Sequence, residues 1–232
     1  MKTTFRFAIL LAWFGTNGLV FAAPLETWAE DAALPWNRHA LALSYGYVQN
    51  PGTLSARDGW RRTVLGSTGE WDAEWTLAPG ASADLALGAS HVRGHATVRP
   101  QAAADIGARA LSVRATQWGL HVRARRYLER RPFPFDPWLG GGVTAGMLTL
   151  REQERSATPG GPVLRPARNA AYPFAGLRAM AGIDIYPIRD SALLLRLQTR
   201  YDLNAVAGGF QGHTNGYAVQ IGLQWNFWPV AP

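Results

Sequence analysis

Large apolar residues alternate with small or polar ones at every second position, and this pattern recurs eight times along the chain. In 39–49, Leu41, Leu43, Tyr45 and Tyr47 alternate with Ala42, Ser44 and Gly46. In 70–77, Trp71, Ala73, Trp75 and Leu77 alternate with Glu70, Asp72, Glu74 and Thr76. Stretch 83–90 sets Leu85 and Leu87 against Asp84, Ala86 and Gly88. Stretch 117–125 sets Trp118, Leu120, Val122 and Ala124 against Gln117, Gly119, His121, Arg123 and Arg125. Stretch 138–150 is Gly-rich and leaves its faces open. In 174–186, Leu177, Ala179, Ala181, Ile183 and Ile185 oppose Arg178, Met180, Gly182, Asp184 and Tyr186. In 192–203, Leu193, Leu195, Leu197 and Tyr201 oppose Arg196, Gln198, Arg200 and Asp202, and 217–227 repeats the pattern from Tyr217 to Phe227. Successive strand residues point to opposite faces, so each stretch predicts a strand with one face in an apolar medium.

The links between these strands alternate in length. QNPGTLSARDG is long, APGAS short, RGHATVRPQAAADIG long and ERRPFPFD moderate; REQERSATPGGPVLRPARNA is longest, PIRD tight and NAVAGGFQGHTN long. Short turns at the end that holds both chain termini, with long loops opposite, predict an all-β, eight-stranded antiparallel transmembrane β-barrel. A soluble sandwich or lipocalin-like barrel would point its large apolar residues inward and its charges outward. Here the second face is Gly, Ala, Ser and Gln with isolated charges, which suits a narrow lumen. Trp71, Trp75, Trp225 and Trp228 fall where aromatic girdles meet the lipid–water boundary.

The segment MKTTFRFAILLAWFGTNGLVFAAP starts with Lys2 and Arg6, runs apolar, and ends with Val20 and Ala22 at −3 and −1 of a cleavage site. It predicts a secretory signal peptide. Thr16-Asn17 interrupts the apolar run, which is too short for a spanning helix. The expected organisation is a signal peptide over 1–22, a periplasmic lead-in over 23–38, the barrel over 39–228 and a short periplasmic tail over 229–232.

Only 17% of the 232 residues are charged, against about 25% in ordinary soluble domains. The absence of Cys removes disulfides and thiolate metal sites. Beyond Lys2 and Arg6 the chain has 21 Arg, no Lys and 16 Asp+Glu. These arginines are dispersed and form no nucleic-acid-binding motif, so nucleic acid is not an expected partner.

An eight-stranded barrel is filled by its own side chains. The alternation sends in Glu70, Asp72, Glu74, Asp84, His121, Arg123, Arg125, Arg178, Asp184, Arg196, Arg200 and Asp202, six acids against five Arg. Such near-balance is what a closed lumen needs, because unpaired charges there are costly. His121 is expected to hydrogen-bond a lumen carboxylate. The long loops carry Arg61, Arg62, Arg93, Arg99, Arg151, Arg155, Arg165 and Arg168 with few acids. Two readings stand: contact with lipopolysaccharide phosphates, which suit guanidinium forks, or plain solubility in an Arg-biased chain. No residue spacing suggests a metal site, and no cofactor is expected.

The signal peptide, the Gly-rich PWLGGGVTAG and the closing YAVQIGLQWNF together resemble the small outer-membrane β-barrel families of Gram-negative bacteria, the OmpA/OmpX type. That resemblance implies a monomer in the outer membrane, in contact with its lipid and lipopolysaccharide. It also implies that the barrel-assembly machinery reads Phe227 as a terminal aromatic, although this chain continues through Trp228 to Pro232. The Trp-rich early strands and RRPFPFDPWLGGG are also similar to the PagL-like lipid A deacylases. Those enzymes carry a His-x-Ser pair and an acidic partner on the penultimate strand. Here RLQTRYDLNAV puts Thr199 and Tyr201 in those places, which leaves neither a base nor an activated nucleophile. The expectation is a non-enzymatic barrel serving envelope integrity or surface interaction. A lipid-A-modifying hydrolase is the alternative and a narrow pore the third reading.

Overall fold

The computed structural model describes residues 39–55, 60–79, 83–100, 109–128, 135–156, 162–187 and 192–227. The signal peptide and lead-in expected over 1–38, Trp228 and the tail over 229–232 lie outside the described residues. The strands are β1 (Ala40–Gln49), β2 (Thr53–Leu54), β3 (Thr63–Val64), β4 (Thr68–Pro79), β5 (Ala83–Val98), β6 (Arg109–Tyr127), β7 (Phe135–Ser156), β8 (Arg168–Ile185), β9 (Leu193–Val206), β10 (Gly212–His213) and β11 (Gly216–Asn226).

Eight of them close into an antiparallel barrel in the order β1-β4-β5-β6-β7-β8-β9-β11, with β11 pairing back onto β1. Within the apolar belt closure leaves no open sheet edge, so the ladder there pairs its N–H and C=O groups without water. The register fixes the shape. From Ala40, successive partners run through Thr76, Ala86, Arg123, Gly142, Arg178 and Asp202 to Gly216. Ala40's direct partner on β11 is Asn226, ten residues further on. That offset is about 33 Å along the strand against a perimeter of about 38 Å, which tilts the strands by about 40°.

The outer face is an apolar belt. Tyr217, Val219, Ile221, Leu223, Trp225 and Phe227 are exposed, while Ala218, Gln220, Gln224 and Asn226 between them are buried. Leu41, Leu43, Tyr45 and Tyr47 continue the belt on β1. Charge inside and hydrocarbon outside is the reverse of a soluble domain, and it suits lipid as the solvent. From Tyr217 to Phe227 the tilted strand climbs about 25 Å, the height of an outer-membrane apolar band. At the short-turn end Phe227 stacks on Trp75 and Trp225, with ring centroids 6.1 and 5.9 Å apart. The Phe227 backbone N–H donates to His39 O at 2.8 Å. The protein is an outer-membrane β-barrel.

The structure departs from the sequence-based expectation at the long-loop end. β5 to β8 run for 16, 19, 22 and 18 residues, against 10 in β1. Arg93, His95, Arg151 and Arg155 were expected in loops but sit on these strands, and Arg168 is the first residue of β8. In this upper part the polarity inverts. Ala96, Val98, Val113, Ala115, Leu148, Leu150 and Phe174 are buried inside, whereas Arg93, His95, Arg114 and Arg151 face out. The medium outside is water once the strands leave the lipid, so the period of two persists with its sign reversed. Leu65 from the β3–β4 link is buried in the same cluster, with Leu54, Trp60 and Phe210 packed against it.

The faces of Gly-rich β7 resolve with Leu139, Val143 and Met147 outward and Trp138, Thr144 and Leu148 inward. Gly142 is required by close approach: a Cβ there would run into the Val122 carbonyl of β6.

The belt makes a direct prediction. Leu223→Arg, mid-belt, should cost about 2–4 kcal/mol, while Thr97→Arg on the outer face above the belt should stay within about 0.5 kcal/mol. Reversible urea unfolding from lipid vesicles measures both, and equal costs would place both positions in one medium.

Candidate functional site

The lumen holds two linked nodes of charge. At the first, Arg196 grips Asp184 with both prongs of its fork, Nε to Oδ1 at 2.8 Å and Nη2 to Oδ2 at 2.9 Å. Trp138 Nε1 donates to the same carboxylate at 3.0 Å and the Tyr127 hydroxyl at 3.1 Å. Arg125 binds Asp84 through Nε at 2.7 Å and through Nη2. The Trp138 ring lies under three guanidiniums, with those of Arg123, Arg125 and Arg196 at 5.7, 5.3 and 5.6 Å from its centroid. Its negative face stabilises cations that would otherwise repel one another.

The second node centres on Asp72. Arg178 and Arg200 each donate an Nη1 to Asp72 Oδ2 at 3.2 Å. Arg178 Nε bonds Asp202 at 2.8 Å, Arg200 Nε approaches the same carboxylate at 2.9 Å, and Arg200 Nη2 reaches Glu70 at 2.5 Å. Glu74 joins the nodes: it pairs with Arg123, lies 3.6 Å from Arg196, and meets His121 Nε2 at 3.3 Å.

All twelve residues assigned to the lumen from alternation are buried, and the structure brings them into this network. Three of the ion pairs, Asp84–Arg125, Arg178–Asp202 and Asp184–Arg196, join direct cross-strand partners. Trp138 and Tyr127 are members that the sequence did not reveal. Trp138 is 1% exposed, on a strand whose faces were left open. Gly182 makes room for it, since a Cβ there would meet the indole ring. The signal was available in the outward parity of Leu139, Val143 and Met147, which sends Trp138 inward.

Asp72, Glu74 and His121 place ligand-type atoms within 4.8 Å of one another. Carboxylate and imidazole are suitable cation ligands. Here, though, Arg123 and Arg196 flank Glu74 while Arg178 and Arg200 hold Asp72. A divalent ion would have to displace these guanidiniums, so the cluster is an ion-pair junction.

The positions of hydrolase chemistry are occupied otherwise. Tyr201 is exposed on the lipid face, and Thr199 Oγ1 donates to Ala218 O at 3.3 Å. Ser90 and His91 face opposite ways: Ser90 lies 3.5 Å from Arg178 Nη2, and His91 packs on Trp118 with centroids 4.1 Å apart. His39 accepts from Trp75 Nε1 at 3.3 Å, and His213 pairs with Thr53 in the small sheet.

A second feature lies outside, on the tall wall of β5 to β8. His95, Arg114, Arg151 and Asn169 form one cross-strand row, all exposed. Arg93 lies below this row and Arg155 above it. Ser112, Arg114, Arg151, Gln153 and Arg155 line a shallow hollow of about 160 Å³. Arg155 is oriented by two hydrogen bonds to Gln153 Oε1, at 3.1 and 2.8 Å. Glu152 and Glu154 point to the other face, and Glu154 lies 3.7 Å from Arg109 and 3.5 Å from Arg165. Arg114 belongs to this surface although it was not among the arginines singled out from sequence. Arg61, Arg62, Arg99 and Arg165 are exposed but lie outside this row, and Arg165 sits near Glu154.

No protein-family model matches the chain, and no curated protein matches it. Solved structures with a similar course include Neisserial surface protein A, at 11% identity over 82% of this chain and 97% of that one, with a TM-score of 0.45. OprG from Pseudomonas aeruginosa is 12% identical over 83% and 97%, with a TM-score of 0.48. Ail of Yersinia pestis, solved with the heparin analogue sucrose octasulfate, is 8% identical over 82% and 99%, with a TM-score of 0.42. The barrel architecture of this chain follows from its own registers and burial.

Removing one partner of a buried pair should be severe. Asp184→Ala strands Arg196 and should cost about 3–5 kcal/mol, whereas Asp184→Leu with Arg196→Met should cost much less. Vesicle unfolding of both variants checks this ordering. Planar-bilayer recording of the parent protein should give no stepwise conductance, since an ion would have to break several of these pairs to pass.

Proposed function

We propose that the protein is a non-enzymatic barrel of the outer leaflet that binds lipopolysaccharide phosphates on the His95–Arg114–Arg151 wall and so ties the barrel into the envelope surface. The observation that carries this reading is the direct opposition of Arg114 and Arg151 across two strands. Like charges placed so are destabilising unless an anion lies between them. Arg114 stands four residues beyond the lipid-facing Trp118, about 10 Å higher along the membrane normal. Phosphates of a lipid headgroup lie at that level, and guanidinium forks bond them bidentately. Arg93 and Arg155 extend the basic surface along the strands, and no outward carboxylate interrupts it among the described residues.

This reading predicts a change of sign. Arg114→Gln should stabilise the protein by about 0.5 kcal/mol in phosphate-free detergent, where it relieves repulsion. In bilayers containing bis-phosphorylated lipid A the same variant should destabilise by about 1 kcal/mol, with Arg151→Gln behaving alike. Thermal unfolding of parent and variants in each medium, with dephosphorylated lipid A as control, makes the measurement. Equal stability of the parent with and without the phosphates would overturn the proposal.

A further inference from the structure

The small sheet β10-β2-β3 and the segments beside it cover the top of the barrel without filling it. Beneath them lies a cavity of about 470 Å³. Its floor is the buried trio Val98, Val113 and Leu150, and its sides include the half-buried rings of Trp60 and Phe210. Exposed Arg61 stands at its rim. The volume falls within the about 300–1,000 Å³ typical of small-molecule sites, and the lining is mixed: Ser55, Glu152 and Gln211 join Arg61 beside the apolar floor.

The cavity is blind. Leu65, Leu148 and Phe174 pack with its floor, and the ion-pair network fills the lumen below. A molecule entering from outside therefore binds and leaves by the same mouth. The charge at that mouth is net positive. Arg61 and Glu152 both line the cavity; Arg168 is the cross-strand partner of Glu152, and Arg109 and Arg165 share Glu154, so among these described residues four arginines stand against two carboxylates. Such a field draws anions.

We propose that this cavity binds a small amphipathic anion. An aromatic or aliphatic body rests on Val98, Val113 and Leu150 between Trp60 and Phe210, and a carboxylate or sulfonate meets Arg61. The site is separate from the basic outer wall and does not depend on it.

The test uses the full chain in lipid nanodiscs with ¹³C-labelled Leu and Val methyls, titrated with naphthalene-2-sulfonate and with neutral 2-naphthalenemethanol. Saturable shifts are expected at Val98, Val113 and Leu150, with the sulfonate binding about fivefold more tightly, the upper range for an exposed ion pair. Arg61→Gln should remove that preference and leave the neutral probe unchanged. Val113→Trp should fill the cavity and abolish both titrations, while Arg114→Gln should alter neither. Shifts confined to belt methyls such as Leu43 and Leu223 would mean partition into lipid and would overturn the site. An unchanged sulfonate preference in Arg61→Gln would overturn its anionic character.

Discussion

Five guanidiniums and six carboxylates make up the lumen network, with buried Asp136 beside it, and each must find its partner there because hydrocarbon surrounds the wall. Moving one such ion out of water costs several kcal/mol even after relaxation, so the pairing must be nearly complete. This requirement reaches down to the register of the sheet. Asp84–Arg125, Arg178–Asp202 and Asp184–Arg196 are hydrogen-bonded side-chain pairs and cross-strand neighbours at once. A slip of one residue would turn the charges to lipid, and a slip of two would part the pairs. The ladder and the charge network therefore specify each other, and Trp138 holds three of the arginines together without adding a negative charge.

The same strands serve two solvents. On β6, His121, Arg123 and Arg125 point inward below while Trp118, Leu120 and Val122 meet lipid. Higher up, Val113 and Ala115 point inward and Arg114 meets water. Each half obeys the rule that large apolar side chains leave water, and only the location of the water changes. The upper half thus carries a core like that of a soluble domain, completed by Leu65, Leu54, Trp60 and Phe210 from the connecting segments. The lumen is sealed twice, by paired charge below and packed hydrocarbon above.

Much of this was legible in the sequence, for a physical reason. Parity on a strand assigns every residue to a face once one residue is placed, so Glu70, Arg123, Asp184 and their fellows could be sent inward from alternation alone. Where parity had no contrast, sequence reasoning stopped. Gly140, Gly141 and Gly142 bear no side chain to mark a face, and Trp138 beside them was left unassigned. The upper strands were read as loops because the mark of a lipid-spanning strand, a large apolar residue outward, is reversed there by Arg93, His95, Arg114 and Arg151. The choice of Asp72 and Glu74 as the carboxylates that His121 meets, and the convergence of Trp60 and Phe210 on one cavity, join residues far apart in sequence. No local pattern records such meetings.

The polarity inversion on β6 and β7 also acts as a waterline. Raising the barrel would lift Trp118 and Met147 out of lipid, and sinking it would drown Arg114 and Arg151. At the opposite end Trp75, Trp225 and Phe227 oppose movement in the same way. A wall of eight hydrogen-bonded strands tilted by about 40° cannot shorten or lean as a single helix can. In a bilayer thicker or thinner than its belt, the deformation therefore falls on the lipid, which must thin or stretch at the protein's rim. The barrel imposes its own thickness on the membrane around it, and neighbouring molecules that impose the same thickness share that rim at the lowest cost.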